Sequence, residues 1–315
     1  MQALGNLMKV DAVTAEVVTH LRGLGIRTIL LKGPSFGRWL YDRTTDRLYA
    51  DTDLLVAPRD ADALRAAMRD LGFEVAVPRH ELDRPVPAVN WVRDRTGSAV
   101  DVHVGITGAG IAFEEQWEVL SQGTETMRVG GAEVEVLSPA ARALHLVLHG
   151  VQHGRGGRPP DDLQRALERL PEETWHAAAA LAVRLDATAA FAAGLRLHDD
   201  GARLAERLGL PAARSVEVIL REEQAPLALG LKWLTEMPGT RARLRLVRSK
   251  VFPPAASLIP PGQPRTRRVL AAAYVRNFWR MTRLALPAWR ALRRARRQAA
   301  SGTSVLPPDE MDEPS

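Results

Sequence analysis

The sequence predicts an α/β (α+β) protein in which helices cover a mixed sheet, followed by a mainly helical C-terminal region. Up to about residue 138, amphipathic segments with helical spacing alternate with short runs of branched apolar residues, which is typical of a sheet covered by helices. After Ser138-Pro139, a helix start signal, almost every segment has helical periodicity. With 315 residues, 46% of them hydrophobic, the chain can bury a core of one or two domains.

The first elements are predicted from apolar spacing and from glycine. A helix is expected to begin at the N-cap Asp11 and to stop at Gly25. The apolar run 26–31 predicts a buried strand that ends at Lys32, and a second helix is expected over 35–41. A strand, a glycine turn and a helix N-terminus therefore converge, and such a turn presents backbone N–H groups to an anion.

Two carboxylates two residues apart mark the next segment. The strand expected over 48–57 carries Asp51 and Asp53, whose side chains project to one face because side chains alternate along a strand. Burying both without a partner would cost on the order of several kcal/mol. A divalent cation offsets this repulsion, and Mg²⁺ is usually held by one or two carboxylates plus substrate phosphates. Two such acids alone are usually solvent-exposed, but the apolar residues around this pair favour metal binding.

A β-hairpin is predicted where 88–94 and 99–106 flank a polar turn. Asp101 and His103 share one face of its second strand. If this strand pairs beside the first acids, Asp101 is a third carboxylate of a metal-dependent phosphate site, while His103 either contacts substrate or is satisfied by neighbouring backbone. The other elements expected before residue 138 are a helix over 59–71, a strand over 73–77, a proline-punctuated loop over 80–87 and an edge hairpin over 126–137.

Three motifs carry a resemblance to a known family. Lys-Gly-Pro-Ser at 32–35, Tyr-Ala-Asp-Thr-Asp-Leu-Leu-Val at 49–56 and Val-Asp-Val-His at 100–103 resemble the uncharacterised nucleotidyltransferase family of the polymerase-beta-like nucleotidyltransferase superfamily. The resemblance covers about residues 25–103 and extends weakly through 144–154. The superfamily usually opens its site with Gly-Ser on a short helix, whereas here Ser35 follows Lys32-Gly33 two places later.

The resemblance implies a metal-dependent nucleotidyltransferase with a polymerase-beta-like core. Such an enzyme moves a nucleoside monophosphate from an NTP, for example ATP, to an acceptor hydroxyl or phosphate and releases pyrophosphate. The implied catalytic residues, which are also the ligands of Mg²⁺ or alternatively Mn²⁺, are Asp51, Asp53 and Asp101. The residues at the turn and the histidines that share its surroundings are predicted to bind the nucleotide: Lys32, Gly33, Ser35, His103 and His149.

The acceptor and two rival functions stay open. The acceptor could be a small molecule, a peptide or protein, or an RNA. One rival is a catalytically inactive nucleotide-binding or partner-recruiting module on the same fold. The other is an RNA-modifying toxin-type nucleotidyltransferase.

Histidines recur on the first helix of the C-terminal region. His145, His149 and His153 stand at i, i+4 and i+8, but the glutamate of a His-Glu-x-x-His zinc motif is missing. Contact of His149 and His153 with nucleotide or acceptor is the favoured interpretation. The loop 154–160 either clamps phosphates or simply connects helices, and Asp162 either caps the next helix or has a functional role.

The charge is concentrated near the C-terminus. Residues 251–308 contain eleven arginines and neither lysine nor acid, so the net charge of +6 belongs to this part. An amphipathic arm, expected to break at Pro287, either binds RNA, an anionic membrane surface or an acidic partner, or docks its aromatic face onto the preceding helices. The first predicted divisions are a catalytic domain at 1–138 and a helical domain at 139–250. A proline-rich linker at 251–264, a basic amphipathic helical arm at 265–300 and a disordered tail at 301–315 follow. The positive charge of the arm comes from the arginines between Arg265 and Arg297.

Other features favour a cytoplasmic protein. Cysteine is absent, which excludes a disulfide framework, thiolate metal sites and a cysteine nucleophile. The N-terminus shows no signal peptide, and no uninterrupted apolar stretch approaches the ~18 residues that a transmembrane segment needs.

Overall fold

A seven-stranded mixed sheet lies at the centre of the N-terminal half. The computed structural model describes residues 2–76, 88–93, 96–153, 159–212, 216–223, 225–236, 239–253, 258 and 266–301. Strand order is β3-β4-β5-β2-β1-β7-β6; the β1/β7 and β2/β5 pairs are parallel and the others antiparallel. The predicted α/β class with a mixed sheet is confirmed. The strands are β1 Thr28–Leu30, β2 Thr52–Val56, β3 Glu74–Val75, β4 Ala88–Arg93, β5 Ser98–His103, β6 Glu125–Val129 and β7 Ala132–Val136.

Helices cover the sheet and then continue to the end of the described chain. The helices of the N-terminal half are α1 Gln2–Gly23, α2 Pro34–Leu40, α3 Ala61–Asp70 and α4 Phe113–Leu120. The later helices are α5 Pro139–His153, α6 Pro159–Arg169, α7 Glu172–Arg184, α8 Thr188–Leu195, α9 Asp199–Arg207, α10 Val216–Glu222, α11 Pro226–Glu236, α12 Thr240–Val251 and α13 Arg267–Ser301. None of the helices in the described ranges is both long enough and apolar enough to cross a bilayer.

Each face of the sheet has its own core because side chains alternate along the strands. On one face, Leu54 and Val102 pack with Val17 of α1 and Met68 of α3. On the other, Ile29 and Leu55 belong to a cluster that continues through α2 into α5–α9. The change from strands to helices falls at the predicted boundary, but this shared core crosses it, so the division into two domains stays a prediction.

Two predicted boundaries in the N-terminal half are wrong. α1 begins at Gln2, so Asp11 lies inside the helix and is not an N-cap. Its carboxylate instead accepts hydrogen bonds from Arg38 Nη2 at 2.6 Å and from the Tyr49 hydroxyl at 2.8 Å. β2 begins at Thr52, so Asp51 lies in the bend just before the strand.

The expected break at Pro287 is also wrong, because α13 continues through it. Pro287 is exposed, so water can hydrate the backbone carbonyl that the missing N–H leaves without a donor. The predicted loop 80–87, most of the loop 154–160, most of the proline-rich linker and almost all of the tail at 301–315 lie outside the described residues.

Candidate active site

The paired strands β2 and β5 bring the acidic residues together. Asp53 and Asp101 are register partners on these parallel neighbours, and His103 follows on the same face of β5. Ligand atoms of Asp53, Asp101 and His103 all lie within 4.8 Å of one another. Two carboxylate oxygens and one imidazole nitrogen therefore converge at one point above the sheet.

Asp53 is the centre of this group. It has no exposed surface, and its Oδ1 lies 2.6 Å from Lys32 Nζ and 3.1 Å from His103 Nε2. Burial alone would raise the pKa of Asp53, but the hydrogen bond with His103 and the positive charge of Lys32 outweigh it and lower this pKa to about 2. Asp53 is therefore ionised, and its Oδ2 is buried without a hydrogen-bond partner among the described groups.

Asp51 has a different environment. Burial and the nearby negative charge of Asp53 raise its pKa, while Lys32 opposes this. Its carboxylate is not part of the close group of Asp53, Asp101 and His103. Its role as a metal ligand therefore stays a prediction.

Asp101 is oriented by a residue that the sequence did not single out. Asn90 is its register partner on β4, and Asn90 Nδ2 donates a hydrogen bond of 2.5 Å to Asp101 Oδ1. This contact holds one carboxylate oxygen toward β4. The signal in the sequence was only that Asn90 is a polar residue within a predicted strand.

A tight turn positions Lys32. Gly33 has φ +65° and ψ −113°, and a Cβ atom there would lie 3.1 Å from the backbone oxygen of Asp51. The turn is thus packed directly against the segment that carries the acids. The Gly33 carbonyl accepts a hydrogen bond from Arg47 Nη1 at 3.2 Å.

The predicted contact of an anion with the N–H groups at the start of α2 stays a prediction, and some of these positions offer no free donor. Pro34 has no N–H, Ser35 N–H donates to Lys32 O at 3.4 Å, and Gly37 N–H donates to Gly33 O at 3.1 Å. The hydroxyl of Ser35 is fully buried and has no hydrogen-bond partner in the described structure. Ser35 can therefore serve a ligand through this hydroxyl better than through its backbone.

His145 belongs to the surroundings of the site, although the sequence favoured His149 and His153. The His145 ring is buried, with its centroid 6.1 Å from that of Phe36 and 6.2 Å from that of His149. Burial is the main cause of a low pKa at His145, and the nearby His103 and Lys32 lower it further. Together they bring the pKa of His145 to about 3. Neither ring nitrogen has a partner within the described ranges, so His145 is a neutral, unsatisfied imidazole. The side chain of His153 lies outside the described part.

Arg47 and Asp162 connect the sheet region to the later helices. Arg47 Nε and Nη2 each donate a 2.8 Å hydrogen bond to the buried Asp162 carboxylate, and the Tyr41 hydroxyl donates another at 2.8 Å. The guanidinium also lies 5.5 Å from the centre of the Phe36 ring. Asp162 is inside α6, so the capping alternative is wrong and a tertiary ion pair explains it.

Comparison of the sequence with models of known protein families identifies one family. The family model described as uncharacterised nucleotidyltransferase matches residues 2–200. This match covers more than half of the chain and agrees with the predicted resemblance. No curated protein matches the chain.

Two solved structures are similar to the chain at low sequence identity. Antibiotic-resistance factor ANT(2'')-Ia is 16% identical with a TM-score of 0.35, over 64% of this chain and 90% of that one. An antigenic nucleotidyltransferase-like protein from Paracoccidioides brasiliensis is 19% identical with a TM-score of 0.34, over 59% of this chain and 92% of that one. The chain belongs to the uncharacterised nucleotidyltransferase family.

Proposed function

We propose that this member of the family is a metal-dependent nucleotidyltransferase, which moves a nucleoside monophosphate from an NTP to an acceptor hydroxyl or phosphate and releases pyrophosphate. The observation that supports this most is the group of Asp53, Asp101 and His103, in which the buried Asp53 Oδ2 has no described partner. A buried anionic oxygen without a donor is costly, and a cation would satisfy it.

The donor set suits a divalent cation. Carboxylate oxygens and phosphates are the usual ligands of Mg²⁺, and Mn²⁺, the alternative, also accepts them. Asp53 and Asp101 would hold the ion, with His103 beside them and Asp51 as a further proposed ligand. When bound, the ion would neutralise charge on the phosphate oxygens during in-line displacement.

Lys32 would bind the triphosphate of the nucleotide. Its ammonium group carries three donors and lies at the edge of the site, with 17% of its side chain exposed. The contact with Asp53 holds it there, and phosphate oxygens would use its remaining donors. Ser35 Oγ, at the same turn, is the proposed second donor, and Gly33 allows the close approach of this turn to Asp51.

Asp101 is the proposed general base. Asn90 occupies its Oδ1, so the acceptor proton would move to Oδ2. The acceptor oxygen would then form a bond to the α-phosphorus, and the bond to the β-phosphate oxygen would break with its electron pair leaving on pyrophosphate. His103 and His149 are the proposed contacts to the nucleotide.

Thermal unfolding with each of the four NTPs, with and without Mg²⁺ or Mn²⁺, tests the binding half of this proposal. We expect a metal-dependent stabilisation by at least one NTP, amounting to about 2.7 kcal/mol at a hundredfold excess over Kd. Asp53→Asn and Asp101→Asn should abolish this shift. Asp62→Asn, which changes an aspartate on α3 whose side chain is 91% exposed, should keep it.

Pyrophosphate release tests the catalytic half. With acceptor candidates present, wild type should release pyrophosphate and Asp101→Asn should not. Transfer that survives in Asp53→Asn would refute the metal assignment. Nucleotide binding without pyrophosphate release, across small-molecule, peptide and RNA acceptors, would favour the inactive nucleotide-binding module.

A further inference from the structure

Among the residues that the structure describes, the C-terminal helix α13 has one face that packs against other helices and another that is exposed. Ala288, Ala291, Leu292 and Ala295 are buried in a cluster with residues of α10 and α11. These contacts use mainly small side chains. The predicted alternative, in which the aromatic face of the arm docks onto the preceding helices, is therefore wrong for the three large aromatic residues Phe278, Trp279 and Trp289, which are 47–59% exposed.

Apart from Leu284, which lies on the opposite side, the exposed large apolar side chains of α13 lie on one face of the helix. At about 100° per residue, their spacing of i, i+3, i+4, i+11 and i+14 places them within an arc of about 100°. We call this set the aromatic stripe: Val275, Phe278, Trp279, Leu286 and Trp289. It runs for about 21 Å along the helix, at 1.5 Å per residue.

Arginines follow one edge of the aromatic stripe. Arg276, Arg283 and Arg290 recur every seven residues and are all exposed. Between residues 267 and 301 the helix carries ten arginines, no lysine and no acid. A mainly apolar face beside a cationic edge suits a partner that is apolar in one layer and anionic in the next.

We propose that the aromatic stripe docks α13 onto the surface of an anionic lipid bilayer, with the helix axis in the plane of the bilayer. Tryptophan and phenylalanine favour the boundary between acyl chains and headgroups, and the arginines would lie at headgroup phosphates. An RNA backbone would pair with the arginines but offers no apolar layer for Val275 and Leu286. The charge and the apolar line together therefore favour lipid over RNA.

The preceding helix, α12, also carries exposed apolar residues and basic residues. α12 packs against α13, and Leu244 of α12 and Phe252, which follows it, are 72% and 63% exposed. Residues 239–253 also contain arginine and lysine but no acid. This docking does not depend on the proposed nucleotidyl transfer.

Vesicle sedimentation with the full chain tests the proposal. We expect binding to vesicles in which phosphatidylglycerol makes up about a third of the lipid, and much weaker binding to pure phosphatidylcholine. Trp279→Ala with Trp289→Ala should reduce partitioning by about tenfold for each tryptophan lost from the apolar layer. Arg283→Gln with Arg290→Gln should reduce it by about fivefold for each arginine.

Control variants distinguish a loss of vesicle binding from a loss of folding and from nonspecific hydrophobic adsorption. Val183→Ala changes an apolar residue of α7 that is 67% exposed and should bind like wild type. Circular dichroism should show the same helix content in every variant. If the Trp279→Ala and Trp289→Ala variant has a lower helix content, Val275→Ser with Leu286→Ser replaces it as the variant of the aromatic stripe. Brominated acyl chains should quench tryptophan fluorescence in wild type and less in the Trp279/Trp289 variant.

Several outcomes would overturn the proposal. These are no sedimentation with anionic vesicles, equal sedimentation with neutral and anionic vesicles, or full binding by both stripe variants. Salt-sensitive binding to an RNA oligonucleotide without vesicle binding would assign the arm to nucleic acid instead.

Discussion

Lys32 Nζ lies 2.6 Å from Oδ1 of Asp53, a carboxylate with no exposed surface. The two residues come from neighbouring strands, since Lys32 follows β1 and Asp53 lies in β2. Their contact keeps a negative charge stable inside the protein while leaving the second carboxylate oxygen without a described partner. The same pair thus contributes to the stability of the fold and lies at the centre of the proposed metal site.

Lys32→Ala should destabilise the protein by about 3 kcal/mol, because it removes one partner of a buried ion pair while His103 still contacts Asp53. Urea unfolding at neutral pH measures this. The gap to wild type should narrow when Mg²⁺ is added, since the ion replaces the lost positive charge. Lys9→Ala, which removes an exposed lysine, should cost less than about 1 kcal/mol, and an equal loss in both variants would contradict the prediction.

His145 should make the protein sensitive to mild acid. Its pKa is about 3 when folded against 6.5 as its ordinary value, so the unfolded chain takes up the proton first. Stability is therefore full above about pH 6.5 and falls as the pH decreases toward 3. From pH 7 to pH 5 this histidine alone should remove about 2 kcal/mol.

Denaturant unfolding at pH 7 and pH 5 checks this effect. His145→Leu should lose about 2 kcal/mol less than wild type over that interval. His176→Gln, which changes an exposed histidine of α7, should keep the wild-type dependence. The same pH dependence in His145→Leu and wild type would show that His145 is not the group that titrates.

Arg47 and Asp162 should be strongly coupled. Their side chains are 14% and 7% exposed, and the contact uses two parallel hydrogen bonds. A double-mutant cycle with Arg47→Ala and Asp162→Ala should give a coupling free energy of about 1–3 kcal/mol. Arg47→Lys should not restore it, because an ammonium group cannot make the two-pronged contact.

The exposed pair Arg169–Asp42 is a matched control, since it also joins α6 to the segment after α2. Its side chains are 39% and 75% exposed, so its coupling should be clearly weaker than that of Arg47 with Asp162, because water screens exposed charges. Equal coupling in the two cycles would mean that burial does not strengthen the Arg47–Asp162 contact.

Gly33→Ala should cost more stability than Gly25→Ala. Both glycines have positive φ, +65° and +75°, so both substitutions carry backbone strain of roughly 1–3 kcal/mol. At Gly33 the new methyl group would lie 3.1 Å from the carbonyl oxygen of Asp51, whereas at Gly25 it would meet no described atom within 4 Å beyond its chain neighbours. Gly33→Ala should therefore cost roughly 1 kcal/mol more in thermal unfolding and should weaken metal-dependent NTP binding, while Gly25→Ala should leave binding unchanged.

Local patterns in the sequence predicted the sheet, most of its strands and the family. The alternation of side chains placed Asp101 and His103 on one face of β5, and the register of β2 with β5 then brought Asp101 beside Asp53, as expected. These features were predictable because strand faces, turns and helix periods depend on residues that are close in sequence.

Other features were decided only by tertiary packing. The partner of Asp162 is Arg47, 115 positions away, and Asp11 pairs with Arg38 instead of capping α1. Local sequence cannot distinguish an acid that caps a helix from one that pairs across the fold, because both stand near similar residues in the chain.

Packing also decided which side of each helix is buried. The histidine stripe of α5 did not reveal that His145 would face the site, and the amphipathic pattern of α13 did not reveal that alanines would pack while Trp279 and Trp289 stay exposed. The sequence alone determined the order of the strands and the approximate position of most elements, although the start of α1, the start of β2 and the continuity of α13 were predicted wrongly. The tertiary structure determined which of their side chains meet, because burial depends on what the neighbouring elements bring to each face.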